Sequence, residues 1–171
     1  ICPDAVTYIC ILKACSIVGS LEIGEDIDAE VRKQGLLQKD IVLATALVDM
    51  YVKCGALDKA RETLEELPIR DVVSWTTLIM GYVEEELFDE ALNCFNQMQL
   101  EGFSLDSTVF SCSLKACATI GSLKIGQGIH SEVKEEGLLK DVVLGTALLD
   151  MYTKCGALES ARTVFSELPQ Q

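Results

Sequence analysis

The chain repeats itself. Residues 4–39 read DAVTYICILKACSIVGSLEIGEDIDAEVRKQGLLQK, and residues 106–140 read DSTVFSCSLKACATIGSLKIGQGIHSEVKEEGLLK, with LKAC, GSL, IG, EV and GLL at one offset. Residues 40–70 (DIVLATALVDMYVKCGALDKARETLEELPIR) match residues 141–171 (DVVLGTALLDMYTKCGALESARTVFSELPQQ) more closely still. A fifth unit, 71–105, stands between the two pairs, so the order is long, short, middle, long, short in units of 31 to 36 residues. A period of this size signals a stack of small supersecondary units, each too short to bury its own apolar face. All five form one domain by length.

Within each unit the apolar spacing is helical. In the middle unit Trp75, Leu78, Ile79 and Tyr82 form one stripe and Ala91, Leu92, Phe95 and Met98 a second. A turn near Leu87 separates them, and Gly102 closes the second helix. Gly81 is expected to be tolerated inside the first helix, at a cost of about 1 kcal/mol against Ala. In the short units Leu47, Met50, Tyr51 and Cys54 share a face, as do Leu148, Met151, Tyr152 and Cys155. Gly55 and Gly156 break these helices, and Gly19-Ser20 and Gly121-Ser122 separate those of the long units. No stretch alternates apolar and polar residues long enough for a sheet, so ten helices and an all-α fold are expected.

Composition narrows the function. Apolar content of 49% argues for a filled core. No run of 18 apolar residues exists to cross a membrane. The chain opens at Ile1 without Met, which reads as an excised segment, with any targeting peptide unseen. Net charge is −13, with 27 Asp and Glu against 14 Lys and Arg. That counts against nucleic acid, whose binding proteins show basic patches, unless one groove escapes the average.

The eight cysteines form equivalent pairs, Cys10 with Cys112, Cys15 with Cys117 and Cys54 with Cys155, while Cys2 and Cys94 stand alone. They read as small apolar fillers in a reducing compartment. No C-x2-C supplies metal ligands, so no metal and no cofactor are expected. His130-Ser131-Glu132 fits half of a zinc deaminase signature, but the P-C-x-x-C half is missing, so His130 reads as a surface histidine. There is no P-loop, dinucleotide fingerprint or nucleophile elbow, and the chain is not expected to be an enzyme.

The words DVVSWTTLIMGY, DEALNCFNQM, LKAC, GALDKAR, DMYVKCG and LPIRDVVSW resemble the pentatricopeptide repeat family. The long-short-middle order resembles its plant organelle PLS subclass. The resemblance runs from Asp4 to Pro169 and implies a right-handed α-solenoid of five helix-turn-helix repeats. It further implies a single-stranded RNA-binding adaptor that reads about one base per repeat through two or three side chains. Organellar RNA editing or processing, in mitochondrion or chloroplast, and contact with small organellar RNA-editing factor proteins also follow from it. The acidic surface leaves a helical scaffold for protein partners as the alternative.

The residues that would read RNA follow from register. Thr45, Thr76 and Thr146 hold one position, where a first-turn side chain leaves the apolar stripe. Asp71 and Asp106 close the units of the first two. A hydroxyl beside a carboxylate suits adjacent donors and an acceptor, the Watson–Crick edge of guanine. The family's code, as the resemblance implies, agrees. Thr146 reads G or A, since its closing partner lies beyond Gln171. Ile9 with Asp40 implies weak or absent selectivity, and Ser111 with Asp141 suits a purine but in a long unit, where the code holds poorly. The expected order is N-G-G-N-(G/A), 5′ to 3′ along the chain.

Val6, Val42, Val73 and Val143 would sandwich the bases, with Thr108 departing from the rule; packing at helix starts is their plainer role. Capping is the plainer role of the Thr and Asp residues. Lys53 and Lys154 match the family's phosphate position, or simply face a helix C-terminus, whereas Ile17, Glu84 and Thr119 do not match.

Overall fold

The computed structural model describes residues 3–168; Cys2, Pro169 and Gln171, which entered the reading above, lie outside the described residues. Among the described residues there are ten α-helices, one short 3-10 turn at Leu138–Lys140 and no strand. The helices fall into five pairs: α1 (Ala5–Val18) with α2 (Leu21–Lys33), α3 (Ile41–Lys53) with α4 (Leu57–Glu66), α5 (Val72–Glu84) with α6 (Phe88–Leu100), α7 (Ser107–Ile120) with α8 (Leu123–Glu135), and α9 (Val142–Lys154) with α10 (Leu158–Glu167).

Each pair is joined by the same turn. The N–H groups of Ser20, Ala56, Leu87, Ser122 and Ala157 donate to the carbonyls of Cys15, Tyr51, Tyr82, Cys117 and Tyr152, at 2.8 to 3.1 Å. This six-to-one bond closes a helix through a left-handed residue, usually glycine. Gly19, Gly55, Gly121 and Gly156 supply it in four units, but Glu86 takes that place in the third, at φ 59°. The sequence located the turn near Leu87 without this feature.

The packing forms two compact units, residues 1–81 and 82–171. In the first, α1 packs on α2 and α3, and α3 on α4. Tyr8, Leu12, Leu43, Leu47, Met50 and Leu64 are fully covered. In the second, α7 packs on α6, α8 and α9, and α9 on α10. Phe95 and Phe110 meet there at 6.4 Å between ring centroids, in a tilted arrangement.

Two close approaches repeat or correct the sequence reading. Met50 and Met151 lie where a Cβ on Gly24 and Gly126 would stand, so the second helix of each long unit accepts a methionine against bare backbone. Gly81 is more than tolerated. A Cβ there would come within 2.6 Å of Val52 Cγ1 and 2.9 Å of Leu57 Cδ2, so α5 uses the missing side chain to approach α3 and α4. The cysteine reading holds for Cys15, Cys94 and Cys117, which are buried, but Cys10 is exposed and fills nothing.

Candidate nucleic-acid interface

Every first helix starts on an aspartate. Asp4, Asp40, Asp71, Asp106 and Asp141 each cap through Oδ1, accepting N–H groups two or three residues on at 2.7 to 3.1 Å. The plainer role expected of them is therefore real. It uses one carboxylate oxygen and leaves Oδ2 for another partner.

At Asp71 that second oxygen is taken. Thr45 Oγ1 lies 3.1 Å from Asp71 Oδ2, and also 2.8 Å from its own helix at Ile41 O. The pair forms part of a cleft of about 270 Å³ on the first compact unit. Val42 and Val73 contribute its apolar lining, with Ile9 beside them and Lys13 and Asp49 among the charged residues. The two valines are 60% and 59% exposed, and Val6 and Val143 are 66% and 65% exposed. None of the four belongs to the core. Stiff apolar walls around acceptor oxygens can hold a flat ring that carries N–H donors at its edge.

The remaining positions differ from this one. Thr76 and Thr146 return their hydroxyls to Val72 O and Val142 O, at 2.7 and 2.8 Å; Thr76 is half-buried and Thr146 exposed. Asp106 is exposed. Ser111 and Asp141 do not meet as a pair. The Ser111 Oγ is covered and has no hydrogen-bond partner. Asp141 instead has the Ser107 hydroxyl beside it, the first cause of a pKa below the usual carboxylate range. One turn of helix separates Ser107 from Ser111, and the nearer serine takes the contact.

Lys53 and Lys154 are exposed but engaged, each bonding the aspartate one turn earlier, Asp49 and Asp150, at 2.9 Å. Exposed pairs of this kind are worth about 0.3–0.5 kcal/mol, so a phosphate competes easily. Three residues of this region escaped the sequence reading: Lys13, Asp49 and Ser74. The LKAC word carried a signal for the first, since it puts Lys13 and Lys115 at one position of both long units.

His130 corrects another expectation. It is half-buried, with Nδ1 2.8 Å from the Tyr152 hydroxyl, and Nε2 is covered without a partner. Burial pushes its pKa down. In the other long unit the same station holds Asp28, whose Oδ2 accepts from the Tyr51 hydroxyl at 2.7 Å. The histidine is a packing and hydrogen-bonding residue, not a free surface group.

The charge is sorted by element. Of the 27 carboxylates, fifteen lie within second helices and only three, Asp49, Glu84 and Asp150, within first helices. The first helices also carry four lysines, Lys13, Lys53, Lys115 and Lys154. The excess of acid therefore belongs to the second helices and the connections.

The PPR repeat family matches residues 70–119, and the PPR repeat matches residues 42–72 and 146–171, together more than half of the chain. The chain belongs to the PPR repeat family. A mitochondrial pentatricopeptide repeat-containing protein of Arabidopsis thaliana is 39% identical over 98% of this chain and 16% of its own length. A chloroplastic one from the same plant is 39% identical over 97% of this chain and 27% of its own. The chain thus spans less than a third of these relatives. Among solved structures, the pentatricopeptide repeat protein PPR10 from maize superposes with a TM-score of 0.77 at 22% identity, covering 97% of this chain and 24% of that one. The same protein in complex with an 18-nt psaJ RNA element gives 0.77 at 21% identity, covering 98% and 25%. The fold is that of an all-α repeat solenoid.

Proposed function

We propose that this chain is a sequence-specific single-stranded RNA-binding adaptor that takes one base per repeat, in the order N-G-G-N-(G/A). The observation that carries the reading is the Thr45–Asp71 contact at 3.1 Å in a cleft lined by two exposed valines. Charge sorting supports it, because the acid that argued against RNA is concentrated away from the first helices that would face the bases. A maize relative in fold has been solved with RNA. The adaptor performs no chemistry itself. It places a catalytic domain, in cis or in trans, beside a chosen nucleotide.

The alternation of unit lengths supports assignment to the PLS subclass, and with it organellar RNA editing or processing in mitochondrion or chloroplast. The relatives' mitochondrial and chloroplastic names favour the same compartments. Small organellar editing-factor proteins are the proposed protein partners, at the long units.

An electrophoretic shift assay tests base reading. RNA with GG at bases two and three should shift at lower protein concentration than RNA with CC there. Thr76→Asn should relax the preference at base three or move it from G toward U. Equal shifts of the GG and CC RNAs by the wild-type chain end the proposal.

A further inference from the structure

Ser74 stands third after Asp71, in the first turn of α5, and is only 1% exposed. Its N–H donates to Asp71 Oδ1 at 2.7 Å, and its hydroxyl lies 3.1 Å from Thr45 Oγ1. One residue thus touches both members of the candidate reading pair. Counting protons sets the direction. An ionised aspartate only accepts. The hydrogen between Thr45 Oγ1 and Asp71 Oδ2 therefore belongs to Thr45. Threonine has a single hydroxyl hydrogen, so the hydrogen between Ser74 and Thr45 belongs to Ser74.

The chain of donation runs Ser74 to Thr45 to Asp71, and each bond in such a chain strengthens the next. Thr45 Oγ1 also shares its hydrogen with Ile41 O at 2.8 Å, which holds that hydrogen inward. What remains toward the cleft is a lone pair beside a carboxylate. Acceptors alone suit the adjacent N1–H and N2–H2 donors of guanine. They oppose adenine, whose N1 presents a lone pair of its own.

We propose that Ser74 is a specificity-determining residue, which sets guanine over adenine at this unit by holding the Thr45 hydroxyl as an acceptor. It is a positioning residue, acting through Thr45. The inference rests on the RNA-reading function proposed above and adds a fourth residue position to it. The device is local. Leu43, Val109 and Leu144 stand third after Asp40, Asp106 and Asp141 and carry no hydroxyl. Thr7, third after Asp4, turns its hydroxyl to Asp4 itself at 2.6 Å.

The test is fluorescence anisotropy with the whole 171-residue chain. The RNAs differ by a single G→A change at base two or at base three. Ser74→Ala should lower the G-over-A ratio at base two by about fivefold, the worth of one ordinary hydrogen bond. Part of the change should come as tighter binding of the base-two adenine RNA, a gain that a loosened fold does not produce. The ratio at base three should stay. An unchanged ratio at base two, or an equal fall at both bases, overturns the proposal. A wild-type chain indifferent to base two overturns the parent reading and this one together.

Discussion

Thr45 Oγ1 lies 3.1 Å from Asp71 Oδ2, joining the third helix to the residue that caps the fifth. Asp71 keeps its capping bond through the other oxygen, so the two tasks do not compete. Removing the Thr45 hydroxyl leaves that cap in place but strips the buried Ser74 hydroxyl of its acceptor. Thr45→Val should therefore cost about 1–3 kcal/mol of unfolding stability. It should weaken binding of RNA with G at base two by about tenfold, the scale of one specific base contact. Thermal unfolding and anisotropy on the same variant check both halves. A large loss of stability with unchanged RNA affinity would show the contact to be structural only.

Two backbone positions predict opposite effects of glycine. Gly81→Ala gains about 1 kcal/mol of helix propensity but forces a Cβ into Val52 and Leu57. Overpacking of this kind costs about 1–3 kcal/mol, so the variant should be less stable. Glu86 holds a left-handed backbone in which a side chain costs about 1 kcal/mol. Glu86→Gly should therefore stabilise. Urea unfolding of the two variants measures both signs.

The repeats, the ten helices and the stripes that form the core were legible because each is written in spacing that the chain states more than once. Capping was legible for the same reason, with an aspartate before every first helix. Partner choice between side chains was not. Ser111 and Ser107 both stand within reach of Asp141 by register, and only coordinates show which hydroxyl takes it. Gly81 read as a tolerated cost because propensity is local, whereas its role depends on side chains at Val52 and Leu57. Lys13 was read as part of a repeat word, since nothing in the sequence places it in the cleft that holds Thr45.

His130 gives the fold a pH dependence of known sign. Burial lowers its folded pKa below the ordinary 6.5, with Glu167 opposing and Lys134 reinforcing the shift. The unfolded chain thus binds the proton more readily. The stabilising contribution of the neutral ring is complete above pH 6.5 and is lost as pH falls through that value toward the folded pKa. Urea midpoints at about pH 7.5 and pH 5 should drop further for the wild type than for His130→Gln. Equal drops would mean that the ring is as easily protonated folded as unfolded.

Lys13 and Asp49 both line the cleft, and Lys53 is tied to Asp49 at 2.9 Å. Asp49 thus both repels a phosphate and occupies the lysine that would meet it. Asp49→Asn removes the charge and frees Lys53, and should tighten RNA binding at low salt by about threefold, the upper range for an exposed pair. Lys13→Met should weaken binding and flatten the slope of log affinity against log salt by about 0.7, one phosphate on a single strand. Lys33, on a second helix and 80% exposed at its side chain, carries equal charge away from the first helices. Lys33→Met should leave the slope unchanged, because net charge alone does not set counterion release; contact does. If Lys13→Met and Lys33→Met act alike, the RNA does not run along the first helices, and the sorting of acid onto the second helices has another cause.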